Sequence, residues 1–258
     1  MEELQSYSYS RLKSFYNCKY YYYINYFEKS LPRESHGTSE FGSLVHDILE
    51  KYSRGELESY ELLPYYEEHY NDYVKSSFIL RMSKDYSIDM ENKYYESGKK
   101  FLSNFEGWDY KVVDVEQSFD LPYKDKFKIN GRIDMICEDD NKNLIVVDHK
   151  SKARWKNKVE KKEYEKQLYF YSYAIKQMYG KYPKKMAFNM FRSNHWEWFD
   201  FNLKEFRSVM KWAEETVEEI ESEMDFSPPD RILNGEFDFF CSNFCSYRNS
   251  CKYGNLQN

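Results

Sequence analysis

"LIVVDHKSK", residues 144–152, runs four apolar residues, Leu144 to Val147, straight into Asp148, His149 and Lys150. An unbroken apolar run of this length reads as a strand buried on both faces. Such a strand normally stops at turn residues. This one stops at an acid and a lysine two positions apart, and therefore on one face of the sheet. An unpaired buried carboxylate or ammonium costs several kcal/mol, so the meaning of the pair depends on what lies opposite.

Upstream, "KFKINGRIDMIC" (126–137) reads as a second strand, separated from the first by the turn cluster "EDDNKN" (138–143). A hairpin centred near Asn141 sets Asp134 directly across from Asp148, each seven residues from the centre. Paired residues on one face have Cβ atoms about 4.5–5.5 Å apart. Two carboxylates at that range repel unless a cation sits between them. Oxygen ligands suit Mg²⁺ or Mn²⁺, ions that commonly serve phosphate chemistry. Lys150 would then orient or deprotonate an attacking water, or neutralise charge on a pentavalent phosphate. A surface Asp–Lys cross-strand pair, with Asp134 in a loop, explains the same residues without chemistry.

The surrounding pattern predicts a mixed α/β chain whose N-terminal half is helical. Residues 8–27 and 41–51 carry helical apolar stripes, and 56–105 read as two or more further helices stopped by Gly107. "YKVVDVEQSF" (110–119) is the first of three successive strands. A helix over about 159–179, ended by Gly180, precedes strands "KMAFNMF" (185–191) and "WEWFDFN" (196–202). A helix over about 203–224 and the cysteine-rich tail after "SPPD" (227–230) complete the chain. We read one domain over 1–258, with a helical part at 1–107, a core at 108–224 and a cysteine segment at 225–258.

With 258 residues, 41% apolar and 32% charged, the composition is that of a globular protein. No apolar run approaches a membrane span, and "MEELQSYSYS" lacks the features of a secretory signal. The expected location is cytoplasmic. Five cysteines in a reducing compartment argue against disulfides. The 27 tyrosines and 19 phenylalanines fit an AT-rich codon bias, although some rings could stack on bases. A net charge of −6 excludes a uniformly basic surface but not a local patch. "KSKARWKNKVEKKEYEK" (150–166) is such a patch, with eight Lys/Arg and three Glu.

The residues G-x-x-D-x-I in "GRIDMI", followed by an apolar strand and D-x-K in "VVDHK", resemble the PD-(D/E)XK nuclease superfamily. "QLYFY" supplies the Q-x-x-x-Y signature of its RecB-like branch at Gln167 and Tyr171. Gln167 is a polar interruption in the stripe Tyr164, Leu168, Tyr171, Ile175, Met178, so it should face something polar. "FGSLVHDILE" matches the branch's upstream helix, with His46 at the position of an added metal ligand. "SYSRLKSFYNCKYYYY" and "CSNFCSYRNSC" resemble the opening and closing segments of iron–sulfur members. The tail spacing C-x3-C-x5-C is one residue longer than usual.

The resemblance covers residues 8–253 and implies a PD-(D/E)XK core, a mixed sheet flanked by helices with a cysteine-bound cluster joining the termini. It implies a metal-dependent DNA exonuclease working from single-stranded ends, with 5′→3′ polarity favoured, in recombination, repair, replication or CRISPR adaptation. His46, Asp134, Asp148 and the His149 carbonyl would bind Mg²⁺ or Mn²⁺, with Lys150 serving the attacking water. Gln167, Tyr171, Lys152, Arg154, Lys156 and Lys158 would contact DNA. Cys18, Cys241, Cys245 and Cys251 would hold a [4Fe–4S] cluster, with structural Zn²⁺ as the rival. Glu116, one strand earlier, is left outside the ligand set. No P-loop motif occurs, so a helicase or a recombination or adaptation partner would supply unwinding. The rival functions are a non-cleaving DNA-end-binding subunit and a zinc-stapled interaction protein.

Overall fold

The computed structural model describes residues 4–78 and 84–254. A mixed sheet lies at its centre. The strands are β1 (Ser6–Tyr7), β2 (Lys111–Tyr123), β3 (Phe127–Glu138), β4 (Leu144–His149), β5 (Lys185–Met190) and β6 (His195–Asp200). Their order is β1-β3-β4-β5-β6, with β2 also paired to β3. β1–β3 and β4–β5 are parallel and the remaining pairs antiparallel.

The β3–β4 hairpin pairs Met135 with Val147 and Glu138 with Leu144. This is the register anticipated from a turn centred at Asn141, and the ladder stops just before Asp134 and Asp148. All six residues of β4 are buried, which explains its continuous apolar run. β2 and β3 join through Lys124 and Asp125, both left-handed at φ 49° and 55°.

Helices α1 (Tyr9–Asn17), α6 (Lys158–Tyr179) and α7 (Leu203–Ser222) enclose the main core on one face of the sheet, around Leu12, Ile136, Val146, Leu168 and Phe188. The ends of α6 are set locally. Asn157 accepts the Glu160 N–H at 2.9 Å, and Gly180 closes the helix at φ 74°. α3 (Gly37–Ser53), α4 (Leu62–Tyr73) and α5 (Lys84–Ser103) build a second core around Phe41, Ile48, Tyr66 and Phe101. A smaller cluster of Met135, Cys137, Val147 and Trp108 covers the other sheet face.

The expected helix over 8–27 is broken. α1 ends at Cys18, which is extended at φ −163°, and α2 (Lys19–Tyr23) begins after it. Two short helices, α8 (Asp230–Leu233) and α9 (Phe239–Asn243), carry the cysteine-rich tail. Among the described residues no helix is long and apolar enough to cross a membrane.

Candidate active site

The strand ends bring the acids and the lysine together. Asp134 Oδ2 accepts the backbone N–H of His149 at 2.6 Å, continuing the hairpin with a side chain where the ladder has stopped. Asp148 turns instead to Lys150, whose Nζ lies 2.6 Å from its Oδ2. Lys150 also donates to Gln167 Oε1 at 2.9 Å, Gln167 Nε2 donates to the Tyr171 hydroxyl at 2.8 Å, and that hydroxyl reaches Asp148 Oδ1 at 3.4 Å. Gln167 thus interrupts the apolar stripe of α6 in order to close a ring of polar contacts. Tyr171 is buried behind this ring, where its hydroxyl meets Gln167 and Asp148.

α3 brings His46 over the strand ends. Its Nε2 donates to the His149 carbonyl at 3.0 Å, which leaves the Nδ1 lone pair facing Asp134 Oδ2 at 3.7 Å. Burial lowers the His46 pKa, so the ring is neutral at pH 7 and able to donate that lone pair. Burial and the neighbouring Asp148 raise the Asp134 pKa well above the usual carboxylate range. A lone pair facing a carboxylate that resists ionisation fits a position for a cation.

Glu116 joins them from β2. Val115 pairs with Met135 and Gln117 with Ile133, so Glu116 falls opposite Asp134. Its backbone is left-handed at φ 52° in mid-strand, a conformation costing a non-glycine residue about 1–3 kcal/mol and concentrated at functional sites. His46, Glu116 and Asp134 offer ligand atoms within 4.8 Å of one another, the one such group of His, Cys, Asp and Glu among the described residues. A cavity of about 500 Å³ opens on them, with Asp47, Glu50 and Arg132 in its walls. The sequence reading placed Asp148 in the metal set and left Glu116 out. In the structure Asp148 carries an ion pair with Lys150, and Glu116 joins His46 and Asp134 as a further candidate ligand.

His149 faces the other way, as its position in the strand requires. Its ring stacks on Trp108 at 5.6 Å and 18°, and Asn189 Nδ2 lies 3.1 Å from its Nδ1. Burial holds its pKa well below the ordinary histidine value. Lys150 behaves differently. Burial alone would lower its pKa, but Asp148 and Asp134 outweigh that and raise it.

The basic segment is divided. Lys152 pairs with Glu160 at 3.1 Å, Lys161 with Glu197 at 2.5 Å and Lys162 with Glu205 at 3.2 Å. Arg154, Lys156 and Lys158 are exposed. A second cavity, of about 580 Å³, runs beside this segment. Lys150 and Gln167 line it together with Lys13, Cys18, Cys241 and Cys245. Burial lowers the Lys13 pKa to about 8.

The thiols of both chain ends therefore share one region. Cys18 Sγ accepts the Tyr21 N–H at 3.4 Å, the kind of amide contact that steadies a metal-bound sulfur. Cys245 and Cys251 pack against Tyr20 and Tyr247. Burial pushes the Cys245 thiol up to about 12, and the nearby Cys241, Cys251 and Cys18 push it the same way. Among the described residues these sulfurs form no three-ligand group within 4.8 Å. Cys137 lies apart, buried under the opposite sheet face.

A family model described as the PD-(D/E)XK nuclease superfamily matches residues 6–252. Among solved structures, one titled "Crystal structure of SSO0001" aligns over 95% of this chain and 96% of that chain, at 16% identity and a TM-score of 0.31. No curated protein matches the sequence.

Proposed function

Since the chain belongs to the PD-(D/E)XK nuclease superfamily, whose members are metal-dependent nucleases, we propose that it is a DNA exonuclease of the RecB-like iron–sulfur type. It would use Mg²⁺ or Mn²⁺ and start from single-stranded ends. The observation that carries the reading is the facing of two sets of groups at one strand end: His46, Glu116 and Asp134 on one side, and the Asp148–Lys150–Gln167–Tyr171 ring on the other.

His46, Glu116, Asp134, Asp148 and the His149 carbonyl would hold the ion. Carboxylate and carbonyl oxygens suit Mg²⁺ and Mn²⁺, and the one imidazole beside them is better matched to the softer Mn²⁺. Such an ion, when bound, polarises the phosphodiester and acidifies a coordinated water. Lys150 keeps its proton at neutral pH, since Asp148 and Asp134 hold its pKa up. It therefore serves best as a fixed positive charge for the developing phosphorane and as an orienting donor for the attacking water. Gln167 and Tyr171 hold Lys150 and Asp148 in position. Arg154, Lys156 and Lys158 provide the outer contacts to the strand backbone.

Cys18, Cys241, Cys245 and Cys251 would hold a [4Fe–4S] cluster. These thiols would thereby join the two ends of the chain and brace the cavity beside Lys150. The convergence of Cys18, Cys241 and Cys245 on one cavity, with Cys251 near Cys245, supports this reading.

The test uses anaerobically purified protein with end-labelled linear and covalently circular single-stranded DNA, in Mg²⁺, Mn²⁺ and EDTA. An exonuclease degrades the linear strand, spares the circle and stops in EDTA. Cleavage of the circle at the same rate would make the enzyme an endonuclease. Absence of cleavage with intact DNA binding would favour an end-binding subunit.

A further inference from the structure

The pairing of Arg132 with Glu116 places a cation where a metal ligand has to be free. The Arg132 Nε donates to the Glu116 carboxylate, and the two side chains differ sharply in exposure, 60% for Arg132 against 9% for Glu116. Glu116 is fixed by its left-handed backbone opposite Asp134. Arg132 stands on β3 two residues before Asp134, on the same face and at the mouth of the same cavity. Among the described residues Arg132 forms its ion pair with Glu116 alone. The other nearby guanidinium, Arg54, is tied to Glu50 at 3.0 Å and to the Val115 carbonyl at 3.3 Å. Arg132, held by a single carboxylate, is the freer of the two.

We propose that Arg132 is an exchangeable counter-ion: it neutralises Glu116 until a dication takes that carboxylate, and then turns to a phosphate of the bound strand. The charge balance drives the exchange. Glu116, Asp134 and Asp148 face Arg132 and Lys150, a set that carries one negative charge once an arriving cation has drawn the proton from Asp134. A dication reverses that to one positive charge, which a single phosphodiester cancels. A guanidinium that has lost its carboxylate finds in that phosphate a partner of the same planar, bidentate geometry. Metal binding and substrate binding are thereby coupled through one side chain, each completing the charge set that the other requires.

This inference rests on the nuclease reading, so its test is taken without turnover. Mn²⁺ binding is measured by titration calorimetry on the full chain without DNA. Binding of a labelled single-stranded oligonucleotide is measured in Ca²⁺ at several salt concentrations. R132Q should bind Mn²⁺ several-fold more tightly than the wild type, because the competitor is gone. E116Q should bind it about tenfold or more weakly. R132Q should also bind the oligonucleotide more weakly, with a salt slope lower by about 0.7, the value of one single-strand phosphate contact. R132K, which keeps the charge but not the fork, should fall between R132Q and wild type in both assays, and it replaces R132Q if that variant does not fold. Unchanged or weaker Mn²⁺ binding by R132Q, or an unchanged salt slope, overturns the exchange. Failure of the wild type to cleave any DNA in Mn²⁺ overturns the nuclease reading, not the measured competition between Arg132 and the ion.

Discussion

The Asp134 carboxylate accepts the His149 backbone N–H at 2.6 Å, and the carbonyl of that same residue receives the Nε2–H of His46 at 3.0 Å. One acid thus sets the main chain against which the histidine is placed. Asp134→Asn retains an acceptor for the N–H and should stay within about 1 kcal/mol of wild-type stability. Asp134→Ala leaves that donor unpaired, at a cost of about 1–3 kcal/mol. Both should lose cleavage. Denaturant unfolding beside a nuclease assay separates the two effects, and equal stability of the two variants would deny the bond its structural part.

Lys150 is the ion-pair partner of Asp148, which is almost wholly buried. Lys150→Ala should therefore cost folding stability as well as activity, about 3–5 kcal/mol, the usual result of leaving a buried charge alone. Adding Asp148→Asn to it should recover part of that stability and none of the cleavage. Chemical denaturation of the single and double variants gives the coupling.

Within the basic segment, the lysines that already have acids should matter least. Replacing Lys156 and Lys158 by Gln should lower the salt slope of single-strand binding by about 1.4. Replacing Lys161 and Lys162, held by Glu197 and Glu205, should change it by much less. Equal slopes for the two double variants would mean that binding does not follow the exposed side of this segment.

Cys18→Ser should strip iron and sulfide from the protein and loosen both chain ends, lowering activity although the residue is remote from the metal ligands. Cys137→Ser should keep the full metal content, because that thiol lies under the opposite sheet face and is pushed up to about 12 by burial. Iron and sulfide analysis with an absorbance spectrum reads both. Stoichiometric zinc in the wild type would replace the cluster in this account.

Glu138 pairs with Lys142 in the β3–β4 turn and with Lys111 across the β2–β3 ladder, at 2.9 and 2.8 Å, and these bonds hold its pKa down to about 2. A depressed carboxylate stabilises the fold above its unfolded pKa of about 4.3. That contribution fades as pH falls toward 2. The stability difference between wild type and Glu138→Gln should therefore be largest near neutrality and shrink between pH 4.5 and 2. Thermal unfolding across that range measures it, and a gap that widens on acidification would contradict the sign.

Much of the site was legible because it lies on short-range pattern. The hairpin register follows from counting across one turn, and Gln167 stands out as a polar residue in an apolar stripe. Glu116 was not legible in the same way. Its place opposite Asp134 depends on a turn at Lys124 and Asp125 that has no glycine to mark it, and the β2 register shifts between Val112 and Asp114. β1, two residues long, gives no periodicity at all. The break at Cys18 is hidden because "KYYYY" carries the helical pattern straight past it. Pattern reports local periodicity, whereas Glu116 is placed by a partner strand across an unmarked turn and β1 by Lys128 and Ile129, more than a hundred residues on.

The cavity beside Lys150 is walled partly by Arg231, Ile232, Phe240 and Cys241, which follow every acid, histidine and lysine of the constellation in the chain. During vectorial synthesis the N-terminal parts emerge first. The strand-end groups are thus available to a nascent polypeptide before the wall of that cavity, and β1 must wait for Lys128 and Ile129 before it can pair. A translation product released after α7 would carry the whole constellation with one flank open, a blunter instrument than the finished chain.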